Sequence, residues 1–151
     1  MNEELLRADS ATEVLCRWSG ERIAARLLPA LEKPPGPARC RRLRLGAGEA
    51  LAYRRVQLIG GGRMLAEADN WYVPARLPPG AEALLRTTDT PFGLAVRALA
   101  PRRETLSVRL RPGETPVLEL RAMLRAADGM PFCEVHEYFL PALLRGPGAR
   151  P

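Results

Sequence analysis

Apolar and polar residues alternate with period two through "CEVHEYFLP", residues 133–141. Cys133, Val135, Glu137 and Phe139 fall on one side of this predicted strand, and Glu134, His136, Tyr138 and Leu140 on the other. The first side is apolar except for a single carboxylate, so Glu137 is a polar residue on a face that otherwise points to a core. The same alternation predicts strands in "ERIAARLL", "ETLSVRL" and "PVLELRAMLRA", and a hairpin in "ALAYRRVQLIGGGRMLAEADNWYVP" around Gly60, Gly61 and Gly62. A second hairpin turn is expected at Asp128-Gly129.

Helical spacing is confined to short stretches. "DSATEVLCRW" carries a capping box, with Asp9 or Ser10 as cap and Glu13 completing it, and Val14, Leu15 and Trp18 form an apolar face. "AEALLRT" reads as a short helix, and "DTPFGLAVRAL" as another, with Thr90 as cap and Pro91 in its first position. "EKPPGPARCRR" reads as a mobile, basic loop able to cover a site. The closing "RGPGARP" reads as frayed, giving one domain over residues 1–145 and a flexible tail over 146–151.

The chain also repeats itself. Shifted by 67 residues, "RVQLIGGGRMLAEADNWYVPARL" overlays "AMLRAADGMPFCEVHEYFLPALL". Gly62 meets Gly129, Glu67 meets Glu134, Trp71 meets Tyr138, and Asn70 meets Glu137. Each hairpin thus places one polar residue on an apolar face. The elements add up to an α+β fold: a single six-stranded antiparallel sheet with short helices packed on it and an internal pseudo-repeat of two hairpins.

Composition narrows the function classes. A length of 151 residues with 46% hydrophobic content suits one globular domain. No apolar run is long enough for a membrane span, and "MNEELLRADS" is too acidic for a signal peptide. Three widely spaced cysteines (Cys16, Cys40, Cys133) read as reduced thiols in a cytoplasmic protein, and a single histidine without a CxxC pair argues against zinc. The net charge of +6 is almost wholly arginine, Lys33 being the only lysine, in a chain also rich in Ala, Pro and Gly. No basic helix or aromatic stacking platform accompanies it, so nucleic acid is not the expected partner.

Three signals could converge on a small anion. Helix starts near Ala11 and Phe92 leave backbone amides unpaired, although ordinary capping leaves the same pattern. Arg54 shares a face with Val56 and Leu58, as a carboxylate anchor or as a rim arginine that reaches solvent. Glu137 on its apolar face could bind a hydroxyl, or pair at the rim with one of the many arginines.

The pattern "DSAT…YRRVQL…GG…YVP…TPFG…LR…DG.P…HEYFLPALL" resembles chorismate lyase over roughly residues 5–144, and more distantly the UTRA effector-binding domains of bacterial regulators. The resemblance implies elimination of pyruvate from chorismate to give 4-hydroxybenzoate, a step toward ubiquinone, with no metal or organic cofactor. It implies a buried site closed by flaps, in which the amides of Ala11 and Phe92 and an arginine hold the ring carboxylate. That arginine is Arg54 counted back from Gly62 and Arg55 counted back from Pro74; the face shared with Val56 and Leu58 favours Arg54. Glu137, four residues before Pro141, would hold the hydroxyl. Arg54 and Glu137 are the expected catalytic pair, and Ala11, Arg54, Arg55, Phe92, Glu137 and Asn70 the substrate-binding set. The expected ligand is chorismate or 4-hydroxybenzoate; the sequence leaves the oligomeric state open and is compatible with a monomer.

Two positions depart from the lyase pattern. Asn70 replaces an arginine and Asp89 a lysine, removing positive charge that would serve the second carboxylate of chorismate. The alternative is a non-catalytic binder of a small aromatic carboxylic acid, a UTRA-like module without a DNA-binding domain.

Overall fold

The computed structural model describes residues 11–29 and 32–145. The expected caps Asp9 and Ser10 and the tail 146–151 lie outside the described residues. The elements in chain order are α1 (Ala11–Ser19), β1 (Ala24–Leu28), α2 (Pro37–Arg42), β2 (Ala52–Gly60), β3 (Arg63–Tyr72), α3 (Ala81–Thr87), α4 (Phe92–Ala95), β4 (Arg102–Leu110), β5 (Leu118–Arg125) and β6 (Pro131–Phe139). Single 3₁₀ turns occupy Pro74–Arg76, Arg97–Leu99 and Pro141–Arg145. The strands form one six-stranded sheet in the order β1-β2-β3-β6-β5-β4, with every neighbouring pair antiparallel.

Turn chemistry sets the first hairpin. Gly61 and Gly62 join β2 to β3 with φ of 58° and 72°, the left-handed conformations that a tight two-residue hairpin needs and that glycine adopts without Cβ strain. The β5–β6 connection is longer, closed by Ala126 N–H to Met130 O and turned at Gly129 (φ 86°). Both hairpins carry a register shift near the turn, at Leu58/Ile59 and at Leu124/Arg125. β3 and β6 meet in the middle, where Asp69 is the register partner of His136. The 67-residue shift carries Asp69 onto His136, so the pseudo-twofold axis passes through that pair.

The two sheet faces differ. One is apolar: Val14 and Leu15 of α1 pack on Ala25, Val56, Leu58, Ala68, Leu120, Ala122 and Val135. On that face, Leu85 of α3 and the partly buried Phe92 and Ala95 of α4 pack with Tyr72, Leu124 and Cys133. The other face holds a smaller cluster of Leu43, Trp71 and Met123, together with a polar network.

Two expectations need correction. The stretch read as a mobile loop contains α2, and its arginines are anchored: Arg39 and Arg42 both donate to Glu134, a carboxylate 1% exposed on β6. The Arg39 guanidinium also lies 3.6 Å from the Trp71 ring centroid. Stacking and ion pairing tie a Pro- and Gly-rich segment that composition alone reads as free. Second, Thr90 does not cap a long helix. Its hydroxyl lies 2.7 Å from the Thr88 hydroxyl, α4 is a single turn starting after Pro91, and Ala100 (φ 46°) with Pro101 ends the segment.

Candidate functional site

Alternation along β3 and β6 places Asn70 and Glu137 on the apolar face, and both are buried there, 4% and 3% exposed. Asn70 pairs in register with Val135, and Glu137 with Ala68, so the two side chains are diagonal neighbours across the central strands. They line one cavity of about 70 Å³, together with Thr12 of α1, Phe92 and Gly93 of α4, and an apolar wall of Val56, Leu58, Ala68, Leu124 and Val135. Ala11 precedes the lining residue Thr12, at the start of α1.

Glu137 is not open to solvent. Arg103 on β4 grips it through two parallel bonds, Nη1 to Oε1 at 2.7 Å and Nη2 to Oε2 at 2.9 Å, and Arg103 itself lines the cavity. The sequence concealed Arg103 because of a bulge. Strict alternation through "RRETLSVRL" puts Arg103 opposite Val108 and Leu110. The register shift between Thr105 and Ser107 brings Arg103, Val108 and Leu110 onto one face, opposite Leu124, Leu120 and Leu118.

Arg54 sits directly across from Asn70 in the β2–β3 register and is 3% exposed. Its Nη2 donates to the carbonyl of Thr90 at 2.7 Å and, at 3.3 Å, to that of Thr88. Its Nε and Nη1 are buried without hydrogen-bond partners, and no carboxylate among the described residues lies within ion-pair distance. Burial pushes the pKa of Arg54 down, and the nearby Tyr72 and Asp89 only partly oppose this. Asp89 is engaged elsewhere, since its Oδ1 accepts the Leu27 N–H at 2.8 Å and ties the segment before α4 to the free edge of β1. Arg54 lines a wider cleft of about 880 Å³ with Tyr72, Leu85, Arg86 and Lys33, whereas its partner Asn70 and same-face neighbour Val56 line the cavity. The two spaces share no lining residue; the Arg54–Asn70 register pair is what relates them.

Arg55 lines the same wider cleft as Arg54. It projects from the opposite face, where it pairs with Glu67 and with Asp69 (2.9 Å), and these anions hold its charge against the cost of burial. That face centres on Asp69, 0% exposed, which accepts hydrogen bonds from Tyr53, Tyr138 (3.1 Å) and Lys33 (3.0 Å). Burial raises the Asp69 pKa, but these donors and Arg55 outweigh it and the net shift is downward. The Tyr138 hydroxyl, pushed up to about 12 by burial and by Asp69, also contacts His136 Nδ1 at 3.0 Å. Alternation could not reveal this network, because β6 is a central strand and is buried on both faces.

Among the described residues no helix is long and apolar enough to cross a membrane, and no group of His, Cys, Asp and Glu could hold a metal.

No protein-family model matches the chain. It is 36% identical to the uncharacterized protein y4mC of Sinorhizobium fredii, across 97% of this chain and 75% of that protein. The chain belongs to the y4mC family. Among solved structures, the effector domain of PhnF from Mycobacterium smegmatis superposes with a TM-score of 0.67 at 14% identity, covering 88% of this chain and 89% of that domain. The longer PhnF chain gives 0.68 at 13% identity, and here 89% of this chain spans 65% of its counterpart. The C-terminal domain of the histidine utilization repressor from Pseudomonas syringae gives 0.57 at 12% identity, over 86% of this chain and 99% of that one. At such identities the likeness is one of fold, and the fold is that of the chorismate lyase-like and UTRA domains.

Proposed function

We propose that this y4mC-family protein is a binding module for a small organic acid, best an aromatic monocarboxylate, rather than a chorismate lyase. One observation carries the proposal: Arg54 is a buried guanidinium whose Nε and Nη1 have no hydrogen-bond partner, and which has no carboxylate in ion-pair reach, among the described residues. Leaving such donors unsatisfied costs about 1–3 kcal/mol each, and a ligand carboxylate at one edge of the guanidinium would accept from Nη1 or from Nε and supply the missing counter-charge. The cavity that Asn70, the register partner of Arg54, lines supplies an apolar wall of Val56, Leu58, Ala68, Phe92 and Leu124 for the body of such a ligand. The amides of Ala11 and Phe92 supplement the anchor. Fold likeness to a PhnF effector domain is consistent with ligand binding as the role of the module.

Charge argues against chorismate. A dianion needs two unmatched cations. Arg103, the guanidinium that lines the cavity, is already matched by Glu137, and positions 70 and 89 carry no positive charge. The lyase reading keeps one supporting observation, that Asn70, Phe92 and Glu137 line a single cavity.

Calorimetric titration with 4-hydroxybenzoate tests the proposal. Saturable binding is expected in the wild type, weakened at least about tenfold in Arg54→Met by loss of a charge-assisted pair. Equal affinity in the two proteins would overturn the assignment. Incubation with chorismate is expected to release no pyruvate beyond the uncatalysed rate, and enzymatic release would restore the lyase reading.

A further inference from the structure

The two polar positions related by the internal repeat differ in how they are satisfied. Glu137 has both oxygens engaged by Arg103. Asn70, its counterpart under the 67-residue shift, has a buried Oδ1 with no hydrogen-bond donor among the described residues, although the side chain lines the cavity. Across the register, Arg54 has the opposite deficit: donors without an acceptor. The two side chains are cross-strand neighbours, yet they are not hydrogen-bonded to each other.

Resting on the ligand reading above, we infer that Asn70 is the specificity-determining residue of this site. It accepts a hydrogen bond from a hydroxyl or amino group of the ligand whose carboxylate Arg54 holds. The ligand class is therefore a monocarboxylate that also carries a donor, and the donor is read by Asn70 rather than by Glu137. A buried acceptor without a donor is costly, so a ligand that brings one is favoured over the same skeleton without it. The asymmetry supports this assignment. Where the repeat needs a partner on β6, the protein provides Arg103; where it needs one on β3, the donor is left to the ligand.

The test compares benzoate, 3-hydroxybenzoate and 4-hydroxybenzoate by titration against the wild type, Asn70→Leu and Asn70→Ala. In the wild type at least one hydroxybenzoate should bind about tenfold more tightly than benzoate, the value of one buried hydrogen bond. In Asn70→Leu that preference should fall to within about twofold. Leucine is close in size and removes the orphaned oxygen, so its melting temperature should equal or exceed that of the wild type. Asn70→Ala gives the same comparison if leucine disturbs the packing. Benzoate binding that depends on Arg54 but shows no preference for a hydroxyl would overturn this inference and leave the carboxylate site standing. A preference that survives in both Asn70 variants would make Glu137 the reader and likewise overturn it. Failure of all three acids to bind the wild type would overturn the site and the inference together.

Discussion

Asp69 and His136 face each other in the register of the two central strands, and the internal repeat carries the first onto the second. They occupy the pseudo-twofold axis on the face opposite the candidate site. Tyr138 bridges them, its hydroxyl reaching both Asp69 Oδ2 and His136 Nδ1. The polar network is thus built at the one place where the two hairpins share a boundary.

His136 should make stability depend on pH near neutrality. Burial lowers its pKa below 6.5, and Arg121 adds to the effect; Glu119, 3.5 Å from Nε2, and Asp69 pull the other way without reversing it. Below about pH 6.5 the unfolded chain therefore takes up a proton that the folded chain resists, and stability falls as pH falls. His136 is the only histidine, so the urea midpoint should rise between roughly pH 5.5 and 7 in the wild type. The slope should vanish in His136→Asn, which keeps a polar group beside Tyr138. An unchanged slope in that variant would show that His136 is not its source.

Asp69 should govern the acid limb. Its folded pKa is lowered, so its contribution is complete above the ordinary 3.8 and is lost as pH falls below it. Asp69→Asn should cost about 2 kcal/mol at neutral pH, less than the usual cost of breaking a buried pair, because Lys33 and Arg55 are partly exposed and can turn to water. Its unfolding curve below about pH 4 should be flatter than that of the wild type. Denaturant titration at several acidic pH values checks both effects.

Arg76 should be among the most sensitive positions away from the sheet. Its guanidinium donates to the carbonyls of Leu43 (2.6 Å), Pro131 (2.7 Å) and Arg44 (2.8 Å), and Nε and Nη2 both reach the Glu49 carboxylate. It joins the segment after α2, the loop before β2 and the start of β6. A lysine keeps the charge but cannot span three carbonyls and a carboxylate. Arg76→Lys should therefore lose about 2 kcal/mol, nearly as much as Arg76→Ala, in urea denaturation. Full stability in the lysine variant would reduce the arrangement to a matter of charge.

Local patterns in the chain reached some of these residues and missed others. Period-two alternation placed Arg54, Asn70 and Glu137 on one face, and the repeat paired the last two, because both signals are local and the sheet preserves them. Gly61 and Gly62 marked their turn for the same reason. Arg103 was hidden by a one-residue bulge that reverses which side of β4 it occupies. The anchoring of Arg39 and Arg42 on Glu134 joins residues about ninety positions apart, and no local pattern encodes such a contact. Arg55 was separated from Arg54 by face alone, and its pairing with Asp69 supplies the reason.

The Arg103–Glu137 pair should prove strongly coupled. Both side chains are nearly inaccessible, at 5% and 4%, and removing one takes from the other its two-bonded counter-ion. Glu137→Leu and Arg103→Met should each destabilise the fold by about 3–5 kcal/mol, the usual cost of breaking a buried ion pair. The double variant should be more stable than the sum of the two losses predicts, because an apolar pair of similar volume strands no charge. A double-mutant cycle in urea should give a coupling of about 2 kcal/mol or more. Additive losses would mean that Glu137 and Arg103 are each held by other groups, and Glu137 would then not be what neutralises the guanidinium that lines the cavity.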